Sequence, residues 1–242
     1  TAEYGLNRLA RMKAGDRVLI HAAAGGVGVA CVWLAQRAGA EIFATAGSAE
    51  KHAFLKSLGV RHVMSSRSLD FADEIHRLTG GEGVDIVMNS LAGDFIEKSV
   101  SVMRQGGRFI EIGRAGIWTT EQMAAARPDI AYFPILLRHD HLDLIQSMLV
   151  NLAAAFESGQ LEPLPRRTFA LGNAVEAFRY MAQARHIGKV VLSIDSFEPP
   201  AAPALRADAS YLVTGGLGAL GLNVARWMVA GSIGSATIAA AL

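Results

Sequence analysis

One cysteine in 242 residues, Cys31, excludes an internal disulfide and points to a reducing, cytoplasmic setting. It also excludes a cysteine-built zinc site. His139 and His141 in "RHDHLD" have too few neighbouring ligands to replace one, so no metal is expected. No apolar run approaches the roughly 18 to 20 residues that a bilayer demands, and no charged-then-apolar leader opens the chain. Charge of one sign is missing too. The 23 Lys and Arg stand against 22 Asp and Glu, which leaves no electrostatic footprint for nucleic acid or an anionic membrane. A small-molecule partner is favoured. There is no initiator methionine, and Thr1-Ala2-Glu3-Tyr4 reads as the middle of a helix. The length suits one large α/β domain and a part of another. Glycine is plentiful at 25 residues, above the roughly 7 % average, and it falls at the ends of elements.

Short β-branched runs alternate with helical ones. Strands are expected at 17–20, 41–45, 60–64, 84–88, 108–112 and 130–137. Helices are expected at 28–37, where Val27, Cys31, Leu34 and Ala38 share a face, at 48–59, 71–79, 94–103 and 141–157. Ser48 is a good N-cap, and Gly39 and Gly59 are helix stops. Such alternation predicts an α/β fold with a doubly wound parallel Rossmann sheet, covered on both faces and joined by right-handed crossovers. Residues 1–159 make this domain. Residues 160–195 add strand, helix and strand without continuing the winding. Residues 196–209, "SFEPPAAPALRADA" with its Pro and Ala, read as a linker that protease cuts first. Residues 210–242 restart a strand, a Gly-rich turn and a helix, too short for a second fold.

"HAAAGGVG" follows a strand and opens a helix, the context in which a glycine pattern gains meaning. Ala23, Gly25 and Gly28 occupy the G-x-G-x-x-G spacing with Ala in the first place, while Gly26 adds room beside Val27. Backbone N–H groups and the helix N-terminus can then meet a pyrophosphate; the competing reading is a glycine turn needed only for strand-helix packing. An NAD site usually places an acid at the end of the second strand. Here stand Thr45, Ala46, Gly47 and Ser48, followed by Lys51, with Arg67 a second cation. Hydroxyls near a cation suit a 2′-phosphate, so NADPH is expected. Glu50 argues the other way, but an acid in a first helical turn is a common dipole partner. Asn89 and Ser90, at the end of the fourth strand, are candidates for the nicotinamide ribose, with an Asx turn or an N-cap as the alternative. Gly113 ends the fifth strand and allows close approach. His21 reads as a core or surface group rather than a ligand, and Cys31 as an unreactive thiol on the buried helix face.

The blocks "HAAAGGVG", "SSRSLDF", "GVDIVMNSLAG", "GGRFIEIG" and "EAFRYMAQARHIGKVVL", in order over residues 1–195, resemble the enoyl reductase domain of type I polyketide and fatty acid synthases, members of the medium-chain dehydrogenase/reductase superfamily. Gly216, Gly218 and Gly221 in "TGGLGALG" resemble the opening of the ketoreductase domain that follows it. The resemblance implies a zinc-independent, NADPH-dependent hydride transfer to an enoyl thioester on an acyl carrier protein, among the other domains of the same synthase. It implies that 160–195 complete a GroES-like substrate domain whose N-terminal half precedes the sheet, so residues 1–242 alone should be inactive. At the position where the family carries a proton-donating Lys this chain has Arg114, the candidate catalytic residue, and at the accompanying Asp position it has Leu136. Arg is a poor acid and Leu cannot donate, so a catalytically silent structural domain is an alternative. A stand-alone quinone-reductase-like oxidoreductase is another. The tail lacks the ketoreductase Ser, Tyr and Lys, and no activity is expected of it.

Overall fold

A computed structural model describes residues 1–135, 142–194, 210–214, 219–230 and 237–241. Leu136, His139, His141, the linker 196–209, Gly216 and Gly218 lie outside the described residues. The chain divides into two compact units, Thr1–Ser193 and Ile194–Leu242.

The first unit holds a six-stranded sheet in the order β3-β2-β1-β4-β5-β6, every pairing parallel. The strands are β1 (Arg17–Ile20), β2 (Glu41–Ala46), β3 (His62–Ser65), β4 (Val84–Asn89), β5 (Met103–Glu111) and β6 (Ala131–Pro134). Helices α1 (Gly26–Ala38), α2 (Ala49–Ser57), α3 (Phe71–Leu78), α4 (Asp94–Ser101), α5 (Thr120–Ala126) and α6 (Leu142–Glu157) link or follow them. The order reverses between β1 and β4, which is the topological switch of a doubly wound sheet. β5 starts earlier than expected because Met103 pairs with Val84 across a register shift between Val84 and Ile86. The opening residues are helical, as Glu3–Leu9 with π-type bonding.

Side chains alternate across the sheet, and the two faces build two cores. On one face Val18, Ile20, Ala44, Ile86, Met88 and Ile110 pack with Leu6, Cys31, Val32 and Ala35. On the other, Leu19, Phe43, Val87 and Phe109 pack with Phe71, Ile75, Ile96 and Val100. Burying each large apolar side chain contributes about 1.5–3 kcal/mol. Gly39 ends α1 at φ +74°, where any other residue is strained.

After α6 the chain forms β7 (Arg166–Ala170), α7 (Ala174–Ala182) and β8 (Lys189–Ser193), with β7 and β8 parallel. This piece is fastened to the sheet. The Gly188 N–H donates to Ala24 O at 2.8 Å, and Gly25 bridges Gly188. Gly188 is required there: its φ is +68°, and a Cβ would lie 1.9 Å from Pro165 O.

The second unit pairs β9 (Ser210–Thr214) with β10 (Thr237–Ala241) in parallel around α8 (Ala219–Ala230). Five residues of the closing stretch "GSIGSATIAAAL", Thr237–Ala241, pair as β10. No helix among the described residues is long and apolar enough to cross a membrane.

Candidate functional site

The carboxyl ends of β1, β2, β4 and β5 carry the candidate residues. The glycine loop leaves β1 through Ala22, whose φ is +49°, and is tied to β2 by Ala23 N–H to Thr45 O at 2.9 Å. Its glycines serve different ends. A Cβ on Gly28 would lie 2.5 Å from both Ala22 O and Ala23 Cα, so Gly28 lets α1 press onto the loop. Gly25 has ordinary extended angles, φ −76° and ψ 172°, and a Cβ there would meet only Ala22 O at 3.2 Å. Its missing side chain leaves room for something outside the fold. Ala23 is fully buried.

Gly25 is the N-cap of α1 and no side chain caps it. Among the described residues the N–H groups of Gly26, Val27 and Gly28 have no acceptor. Three free donors at the positive end of a 13-residue helix form a cradle for an anion. Lys189 lies across it: a Cβ on Gly26 would come within 2.7 Å of the Lys189 Cδ and Cε and 3.0 Å of its Nζ. A cation over a helix N-terminus is unfavourable unless an anion lies between them. Lys189 belongs to the family-like "HIGKVVL", but no sequence expectation placed it at the glycine loop.

A pocket of about 270 Å³ opens between the loop and the end of β2, lined among others by Gly47, Lys51, Ser66, Arg67, Leu91 and His186. Arg67 lies against Gly47, where a Cβ would be 2.8 Å from its Nε. Lys51 Nζ donates to Ala184 O at 2.7 Å. Burial holds the Lys51 ammonium below the usual lysine range, helped by Arg67 and opposed by Glu50. Ser48 Oγ accepts from Lys51 N–H at 3.4 Å, so this hydroxyl acts as the N-cap of α2.

Thr45 and Asn89 depart from the roles expected of them. Ser99 Oγ donates its one proton to Phe95 O at 2.6 Å, so it accepts from His21 Nε2 at 2.8 Å. His21 Nδ1 then accepts the Thr45 hydroxyl proton at 2.9 Å. Thr45 is fully buried and points into this network, away from the cleft. Burial holds the His21 imidazolium pKa down to about 3. Asn89 Oδ1 accepts from Leu91 N–H at 3.1 Å, the Asx turn. Its amide donates to Leu91 O at 2.8 Å and to Glu111 Oε2 at 2.6 Å. Both amide hydrogens are thereby engaged, so Asn89 has no donor left for a ribose. Glu111 Oε1 in turn accepts from Gly113 N–H at 2.6 Å. Burial pushes the Glu111 carboxyl up, with Asn89 and Gly113 opposing. Glu111 thus clasps the ends of β4 and β5, a role that "FIEIG" does not reveal as a string.

Ser90 differs from its neighbour: its Oγ is shut off from solvent without a partner. An orphaned donor at the end of β4 fits a ligand group. Arg114, three residues past the Glu111 clasp, is exposed and forms no hydrogen bond or ion pair among the described residues. Also among them, no group of three His, Cys, Asp or Glu could hold a metal ion. Cys31 is buried, its thiol pushed up to about 12 by burial, and takes no part.

A family model described as "Zinc-binding dehydrogenase" matches residues 58–192, more than half of the chain. A protein of the phenolphthiocerol/phthiocerol polyketide synthase of Mycobacterium tuberculosis is 43% identical over 240 residues, 94% of this chain and 11% of its own length. The chain therefore spans about a tenth of such relatives. Among solved structures, the CurK enoyl reductase superposes with a TM-score of 0.75 at 52% identity, over 79% of this chain and 58% of that one. The nucleotide-binding subdomain of the enoylreductase domain of PpsC from Mycobacterium tuberculosis gives 0.61 at 40% identity, over 66% of this chain and 93% of that one.

Proposed function

The chain belongs to the zinc-binding dehydrogenase family and is an enoyl reductase domain of the polyketide synthase type, and from that premise we propose that it uses NADPH to reduce an enoyl thioester borne on an acyl carrier protein. The other domains of the same synthase are its partners in this reading. When bound, the nicotinamide supplies a hydride to the β-carbon of the enoyl group, and the α-carbon is protonated.

The observation that carries the proposal is a pair of features suited to anions, free N–H groups at the N-terminus of α1 and a pocket with two cations at the end of β2, which match the two kinds of phosphate in a phosphorylated dinucleotide. The uncapped N-terminus of α1, with Lys189 above it, suits the pyrophosphate. The pocket at the end of β2, with Lys51 and Arg67 and without an acidic lining residue, suits the 2′-phosphate rather than a bare ribose. Gly25 and Gly26 keep the first site open, and Ser90 Oγ offers a donor to the ribose beside the ring; a Cβ on Gly113 would lie 2.7 Å from Glu111 Oε1 and 2.9 Å from Ile117 Cγ2, so this glycine serves the packing at the end of β5. This fit supports NADPH over NADH without help from Thr45, Ser48 or Asn89, whose side chains are engaged elsewhere.

Proton delivery is less well provided for. Arg114 stays protonated and is a poor acid, so in this reading water gives the proton. The same residue favours the second reading, a domain that binds NADPH and does no chemistry. The intact synthase module, supplied with NADPH and a crotonyl thioester, separates the two. The proposal expects NADPH consumption matched by saturated thioester; bound NADPH without turnover would establish the silent domain.

A further inference from the structure

The pocket at the end of β2 receives a third nitrogen-bearing side chain. His186, between α7 and β8, lines it with Lys51 and Arg67, although it is more than a hundred residues away in sequence. Among the described residues no carboxylate lines the pocket, and Glu50, whose charge acts on Lys51 from the first turn of α2, is not one of its lining residues. His186 Nδ1 is sealed from solvent and has no hydrogen-bond partner. Its ring lies 6.4 Å from that of Tyr180, a loose and tilted contact, so packing against Tyr180 does not account for its placement. The main chain around it is pinned on both sides. Ala184 O accepts from Lys51 Nζ at 2.7 Å, and Gly188 N–H donates to Ala24 O at 2.8 Å. The backbone that carries the imidazole to the pocket wall is therefore held by bonds to α2 and to the glycine loop.

Lys51 and Arg67 repel each other, and burial followed by Lys51 keeps His186 below the usual imidazole range. Such a gathering is unfavourable by itself and becomes favourable when an anion enters. We infer that His186 is a third ligand of the cofactor's 2′-phosphate, a specificity-determining residue given to the Rossmann domain by the returning β7–α7–β8 piece. The inference rests on the NADPH reading above. It assigns to residues 184–189 a part in choosing the cofactor, whereas a purely structural role would affect both nicotinamide cofactors alike.

The test is a fluorescence titration of the 242-residue chain with NADPH and with NADH, before and after His186→Ala. The expected result is a wild type that prefers NADPH, and a variant that loses about tenfold in NADPH affinity, the size of one charge-assisted hydrogen bond, while NADH binding holds. Unchanged NADH binding also shows that the variant is folded. His186→Gln, which keeps one donor, retains part of the preference and carries the same test if the alanine variant fails to fold. Equal losses for both cofactors, or none for either, with the wild-type preference intact, would overturn the role of His186 alone. A wild type without preference would overturn the NADPH reading and this inference with it.

Discussion

Two glycines of one loop should respond in opposite ways to the same methyl group. At Gly25 the backbone is already in a region open to alanine, and the new Cβ meets one atom, Ala22 O, at 3.2 Å. Replacing Gly by Ala at a compatible site stabilises by about 0.4–1 kcal/mol through the unfolded chain, and the close contact offsets part of that. Gly25→Ala should therefore change stability by less than about 1 kcal/mol. At Gly28 the Cβ would lie 2.5 Å from Ala22 O and Ala23 Cα, both backbone. Relief requires α1 to move off the loop, at about 1–3 kcal/mol, or about 2–4 °C of melting temperature per kcal/mol in a chain of this size. Cofactor affinity should follow a different order. The Gly25 methyl enters the space in front of the free N–H groups of Gly26, Val27 and Gly28 and displaces the anion from one or more charge-assisted bonds, a loss of at least about tenfold. Thermal melts with and without NADPH read both quantities. A Gly25→Ala chain that melts like wild type and still gains full stabilisation from NADPH would refute the anion cradle and leave the loop a packing turn.

Lys51→Glu should weaken NADPH by more than about tenfold and spare NADH; equal losses in a binding titration would mean that Lys51 only holds Ala184. His21 predicts a pH dependence. Its pKa is about 3 in the fold against about 6.5 in the unfolded chain, so the unfolded chain takes up the proton first as pH falls. Stability is unaffected above about pH 6.5 and falls by about 1.4 kcal/mol per unit below it, levelling off near pH 3. Urea unfolding between about pH 7 and 5 should show about 2 kcal/mol of this loss, and His21→Gln should remove that component; an unchanged slope would contradict the buried neutral imidazole.

The sheet was legible because its signals are local: β-branched runs, glycine stops at Gly39 and Gly59, the Ser48 cap. So was the glycine loop, whose meaning comes from a strand before it and a helix after it. The directions of Thr45 and Asn89 were not legible. β2 is buried on both faces from Ile42 to Ala46, so no polar alternation tells which way Thr45 points, and its partner His21 lies 24 residues away. The same holds for Asn89, paired with Glu111 across 22 residues. The 184–189 segment was harder still, since Lys51 meets Ala184 over a separation of 133 residues. A signal existed in Gly188-Lys189 after α7, because a glycine before a lone lysine at a strand start suggests close approach to another backbone. β10 went unread because "TIAAA" carries little β-branched character beyond Thr237 and Ile238.

Above all, the account requires that this domain hold a dinucleotide bearing a 2′-phosphate. Competition separates that phosphate from everything else the site binds: residues 1–242 are loaded with NADPH and challenged with 2′,5′-ADP or 5′-ADP, which differ by the 2′-phosphate. Displacement by 2′,5′-ADP at concentrations at least about tenfold lower than by 5′-ADP is the result predicted from Lys51 and Arg67. Equal displacement by the two would contradict it.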